Sequence, residues 1–222
     1  MRHAPPVVAR EPRSGSYWQF LPQRSSVAHV DDDDRLSALD ASRLRASERC
    51  AELFIARGTT GLPIAEITAA VDLSPRTFHR YFATKAESVS PLFDWTTRRF
   101  DVTIHAAPED QPVRETLLAA FRAALGGRIA ARTTALFPLV FADAEMWSVF
   151  LRKVHDGERS LAPVLAPRLG LEPRTPVARA AAAAVASATR IALEAMVTSG
   201  ADPEEMYAQT IDAFASGPIR RR

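Results

Sequence analysis

The residues whose chemistry stands out are Arg76, Thr77, His79 and Arg80, crowded into the run from Ile64 to Phe82, IAEITAAVDLSPRTFHRYF. A guanidinium fork can bond two acceptors on one guanine edge, while hydroxyl and imidazole groups bond phosphate oxygens, so this set suits a surface that reads duplex nucleic acid. Such reading needs the side chains on a rigid rod that fits a major groove. Ser74 and Pro75 announce that rod, because a serine oxygen accepts from an orphan backbone N–H and proline at the first helical position gives up no hydrogen bond. Phe78 and Phe82, four apart, bury together and leave Arg76, Thr77, His79 and Arg80 facing outward or sideways. Asp72 and Leu73 form the turn from a preceding short helix, since short polar side chains tolerate left-handed backbone. Alternating apolar and charged residues also mark an ordinary solvated hairpin, and these nineteen residues alone leave both readings open.

The flanking sequence decides between them. Upstream, ERCAELFIARG from Glu48 to Gly58 is an amphipathic helix with Cys50, Leu53 and Phe54 on one side and a stop at Gly58. Downstream, Thr84 and Glu87 make a T-x-x-E capping box, which opens a further helix with Lys85 in its first turn, beside free N–H groups that suit a phosphate. Taken together, Leu53, Phe54, Gly58, Ile67, Leu73, Ser74, Thr77, Phe78, Tyr81, Phe82 and Lys85 resemble the DNA-binding domain of the TetR family of bacterial transcriptional regulators, over about residues 42 to 90. The chain departs from the family pattern at Asp72 for the usual turn glycine, Arg76 for a frequent glycine, His79 for tyrosine and Thr68 for alanine. The resemblance implies DNA contacts from Ser74, Pro75, Arg76, Thr77, His79, Arg80, Tyr81 and Lys85. Thr77, Arg76 and Arg80 are expected at bases or nearby phosphates, and His79, Tyr81 and Lys85 at the backbone.

Composition is compatible with this and would not have revealed it. The 222 residues are 47% hydrophobic, enough for a core, and the formal charge is only +2. Any basic footprint is therefore local: between Arg35 and Lys85 there are eight basic and five acidic residues. The single Cys50 excludes an intramolecular disulfide and reads as a buried small hydrophobe in a reducing cytoplasm. No apolar run lacks charge interruption over a bilayer's width, and no signal peptide is evident, so a cytoplasmic protein without membrane contact is expected. Residues 1–34, rich in proline, arginine and serine and ending in Asp31 to Asp34, read as a flexible extension, with a basic DNA-tracking arm as the alternative.

Domains are expected at 35–90 for the helix-turn-helix and 91–216 for a helical effector-binding and dimerisation domain, with a basic tail at 217–222. The fold class is all-α. The helix opened by Thr84 should run past Pro91, bend there, and end near Ala106. Breakers at Pro108, Pro112, Gly126, Gly127, Gly157, Pro173 and Pro176 divide the remainder into helices near 113–125, 128–142, 144–166, 176–199 and 203–216. The alanine-rich helix near 176–199 has high helix propensity, and its small side chains also permit close approach of two helices. The resemblance favours a homodimer built from this helix and the last, with Ile211 and Phe214 contributing.

Aromatic residues cluster in the middle of the chain and read first as plain core. The resemblance implies a small-molecule effector site among them, with Phe93, Trp95, Phe121, Phe137, Phe141, Trp147 and Arg190 as candidate lining and His105 and Arg122 as further polar candidates. No cofactor and no metal are expected: the five histidines lack H-E-x-x-H spacing and one cysteine makes no zinc cluster. No G-x-S-x-G elbow or phosphate-binding glycine loop is present, which argues against an enzyme. The competing class is an all-helical adaptor that binds protein and no DNA, which salt-sensitive duplex binding would distinguish.

Overall fold

The computed structural model describes residues 36–217, so the N-terminal extension and all of the basic tail but Gly217 lie outside the described residues. Those residues are helical without a strand: α1 (Ala38–Arg57), α2 (Ile64–Ala70), α3 (Pro75–Tyr81), α4 (Ser90–Ala106), α5 (Val113–Leu125), α6 (Ala130–Ala142), α7 (Ala144–Leu165), α8 (Pro176–Ser199) and α9 (Pro203–Ser216). The helix ends have local causes. Ser37 caps α1 by accepting from the Asp40 N–H, and Gly58 ends it in the left-handed conformation at φ 64°. Asp143, Thr175 and Asp202 cap α7, α8 and α9 in the same side-chain manner.

Two boundaries differ from the sequence reading. First, α1 begins at Ala38, ten residues before Glu48, because Ser37 caps it there. Second, the chain after Lys85 forms a 3-10 turn, Ala86–Val89, before α4 starts at Ser90. Pro91 thus occupies the first turn of α4, where its missing N–H had no helical partner, and it bends nothing. Gly157, counted among the breakers, lies within α7, where no left-handed backbone is required and the helix continues through it.

Packing runs unbroken from the first helices into the later ones. Phe54, Ile67, Phe78, Phe82 and Val89 share one buried core with Phe93, Phe137, Met146 and Phe150. Each such side chain contributes about 1.5–3 kcal/mol by burial, so α2 and α3, seven residues apiece, are held by tertiary packing rather than by their own helix propensity. A second core joins Ile104, Leu117, Phe121, Leu165 and Tyr207, with Phe121 and Tyr207 stacked at 4.3 Å. Arg114–Asp212 and Arg122–Glu204 ion pairs, at 2.6 and 2.9 Å, fasten α5 to α9 from outside.

On α8, Ala178, Ala182, Ala188 and Ala192 are buried inside the chain, and the helix packs on α7 and α9. By length and mean hydropathy, 1.4, α8 is apolar enough to cross a membrane, although Arg179, Arg190 and Glu194 interrupt it. Ile211 is also buried within the chain, whereas Phe214 is 42% exposed and Val177 62%. Ile211 therefore belongs to the internal core and cannot lie on an outward face, which corrects the sequence expectation for that residue.

Candidate nucleic-acid interface and ligand cavity

The turn before α3 is made by Asp72, at φ 55°, the one non-glycine residue with positive φ among those described. Ser74 then accepts from the Thr77 N–H at 3.1 Å and donates its own hydroxyl hydrogen to Thr77 Oγ1 at 2.9 Å, with Pro75 in the first turn. Phe78 and Phe82 are fully buried with ring centroids 5.1 Å apart, fixing the inner face. Arg76, His79 and Arg80 are exposed on the other side, and Thr77 and Tyr81 are half-buried. The Arg80 guanidinium lies 5.4 Å from the centre of the Tyr81 ring, a cation–π contact that narrows its orientations before any partner arrives. One face is anchored and the opposite face carries donors.

Arg49 has a structural role that its charge alone did not suggest. Its guanidinium reaches from α1 to donate to the Val71 carbonyl at 3.1 Å, closing the C-terminal end of α2 just ahead of the turn. Arg57 pairs with Glu66 at 2.9 Å across α1 and α2. Two of the basic residues counted in the local footprint thus orient α2 and α3. Lys85, expected in a first helical turn, stands half-buried at the head of the 3-10 turn, and Thr84 Oγ1 accepts from the Glu87 N–H at 3.2 Å.

Lys85 borders a polar depression with the loop Gly58–Gly61 and the start of α7. There Thr60 donates to Asp143 at 2.7 Å. Burial by itself would raise the Asp143 carboxyl, but the Thr60 hydroxyl and the N–H groups of Met146 and Glu145, with the Lys85 charge nearby, hold it below the usual range. Arg132 of α6 pairs with Glu48 of α1 at 3.1 Å, and Arg152 of α7 pairs with Glu87. Three polar links therefore join the first helices to α6 and α7.

A cavity of about 120 Å³ lies among α4, α5, α6, α7 and α8. Phe93, Phe100, Phe137, Phe150, Leu161 and Leu193 give it an apolar wall, broken by Thr97, Asp101, Arg132, Lys153 and Thr189. Of the residues expected there, Phe93 and Phe137 line it. Phe121 instead stacks on Tyr207, and Phe141 and Trp147 both lie outside the lining, packed against each other at 5.0 Å. Trp95 is half-buried on α4 outside the lining, and Arg190 bonds Glu194 at 2.6 Å along its own helix. Arg122 is taken by Glu204, and His105 is exposed near the end of α4.

Asp101 is the lining residue that the sequence offered least reason to choose. Burial pushes its carboxyl up to about 6, while a hydrogen bond with Ser160 pulls the other way. Its Oδ1 is buried with no hydrogen-bond partner. Cys50, by contrast, is an inert core thiol, pushed up to about 11 by burial. No cluster of three or more histidine, cysteine or carboxylate side chains suited to a metal occurs among the described residues.

Residues 48–87, from the middle of α1 to the 3-10 turn, match the family of bacterial regulatory proteins, tetR family. The chain is 30% identical over 129 residues to the HTH-type transcriptional regulator TcmR of Streptomyces glaucescens, an alignment covering 54% of this chain and 57% of that protein. The chain thus spans little more than half the length of this curated relative. It is also similar to the crystal structure of a proposed TetR-family transcriptional regulator from Mesorhizobium loti MAFF303099, at 15% identity and a TM-score of 0.47, covering 82% of this chain and 98% of that one.

Proposed function

From a chain whose residues 48–87 match the tetR family of bacterial regulatory proteins, we propose a cytoplasmic transcriptional regulator that binds duplex DNA as a homodimer and is released by a small molecule. The observation that carries the reading is α3: a capped rod clamped by Phe78 and Phe82, with Arg76, His79 and Arg80 exposed together on its outer side. A two-fold dimer would set one α3 in each of two major-groove segments about 34 Å apart, and so would favour a palindromic operator. The exposed Val177 and Phe214 on α8 and α9 support dimerisation through these helices.

Repression follows if the free dimer holds the operator and an effector favours a state that does not. An effector with equal affinity for both states would shift nothing. The cavity suits that role because α4 forms part of its wall and leads directly from the 3-10 turn after Lys85. Arg132, on the same wall, bonds Glu48 of α1, so movement of the wall is felt by the helix that orients α2 and α3. The bend expected at Pro91 has no cause there, since Pro91 sits where it costs no helical bond, and the adjoining 3-10 turn is where the helical geometry changes.

Selection of bound duplexes from a random pool tests the reading. Recovery of an inverted repeat supports both DNA recognition and two-fold symmetry, and recovery of unrelated sequences with no enrichment overturns it.

A further inference from the structure

We propose that the cavity selects an apolar molecule of about one ring that offers a hydrogen-bond donor, a hydroxyl or an ammonium, to Asp101. This rests on the reading of the cavity as the effector site and adds the chemistry of what enters it. Size comes first: an apolar protein cavity of about 150 Å³ holds one benzene. At about 120 Å³ this one is a little smaller, so a single ring is the most it takes, with a slight shift of the wall. Gly157 on the facing helix lines the same cavity, and a methyl group there would meet the Thr97 side chain at 3.6 Å, an ordinary contact.

The polar groups of the wall point to a donor on the ligand. Thr96, Thr133 and Thr189 donate their hydroxyl hydrogens to the carbonyls of Phe93, Leu125 and Val185, at 2.8, 2.9 and 3.3 Å, which leaves oxygen lone pairs. Both cations on the wall already have carboxylate partners, Arg132 with Glu48 at 3.1 Å and Lys153 with Asp94 at 2.7 Å. Asp101, when ionised, only accepts hydrogen bonds, and its Oδ1 has no partner. Oδ1 is covered by protein, so a ligand meets it only after the carboxylate turns about its Cβ–Cγ bond toward the cavity. A hydrocarbon would leave that oxygen unbonded, and a carboxylate would bring a like charge beside it in a poorly solvated space.

Calorimetric titration of the full chain with benzylamine, benzyl alcohol, toluene and benzoate, matched one-ring probes, tests this near neutral pH. The wild type should bind the amine and the alcohol at least about tenfold more tightly than toluene, and benzoate most weakly. Asp101→Asn, with circular dichroism as a check on folding and Asp101→Ser as a second variant, should keep toluene and lose most of the preference for the amine. Loss of the preference for the amine but not the alcohol would identify the ammonium as the recognised group. Equal binding of all four, an undiminished preference in both variants, or failure of every probe to bind overturns the proposal. Equal binding still leaves a ligand cavity in place, whereas the expected preference without any release of selected duplex overturns the effector reading and spares this one.

Discussion

Replacing Asp101 by Asn should stabilise the protein in a pH-dependent way, and the size of the effect follows from the carboxyl's surroundings. Burial raises the folded-state value from 3.8 to about 6, so the folded chain holds this proton more tightly than the unfolded chain does. Stability from Asp101 is thus fully present below about pH 4 and is lost as pH rises through about 6. A difference of about two units at 1.4 kcal/mol each gives a loss of about 3 kcal/mol at neutral pH. Asparagine keeps the shape and removes the titration. Urea unfolding at fixed protein concentration should show the variant's advantage growing by about 2–3 kcal/mol between pH 4 and pH 7.5. Taking the difference between the two pH values cancels any constant cost of the amide. An advantage independent of pH would mean that Asp101 is not held in a dry wall.

The other expectations concern DNA and packing. Arg76→Ala should cost about 1–3 kcal/mol of operator affinity and relax specificity at one base pair if its guanidinium reads guanine, which binding to a set of single-base operator variants checks. Lys85→Ala should instead weaken all duplexes alike and reduce the salt slope by about one; a loss confined to one operator position would contradict its phosphate role. Arg49→Ala removes the donor on the Val71 carbonyl and should lower operator affinity without changing its sequence preference, measured by the same duplex panel. Gly157→Ala should raise stability by about 0.5–1 kcal/mol, because a helical glycine is replaced and the added methyl meets Thr97 at an ordinary 3.6 Å, while benzyl alcohol binding weakens as the cavity narrows.

The helix-turn-helix was legible because its determinants are local. Ser74 and Pro75 start α3, Asp72 makes the turn and Gly58 ends α1, each within a few residues of what it controls. Helices α5 to α9 were legible for the same reason, with Pro, Gly and capping residues marking their ends. The contact of Arg49 with Val71 was not, because it depends on how α1 crosses α2. The cavity was legible only in part. Large aromatic side chains report burial, and in Phe121 and Phe141 that burial is spent on Tyr207 and Trp147. Lining depends on which face of α4 meets α7, and the residues that share it include Phe93, Thr97 and Asp101 at helical spacing. That spacing was visible in the chain, but nothing local distinguished the face toward α7 from its neighbours.

If α3 reads duplex DNA through its outer side chains, the protein discriminates between duplexes. Fluorescence anisotropy of the purified full chain, with its selected duplex against a scrambled duplex of equal composition and no small molecule present, tests it most directly. A preference of at least about a thousandfold and a steep fall in affinity between about 50 and 200 mM salt are expected. Equal affinity for both duplexes, or no binding to either at low salt, would contradict it.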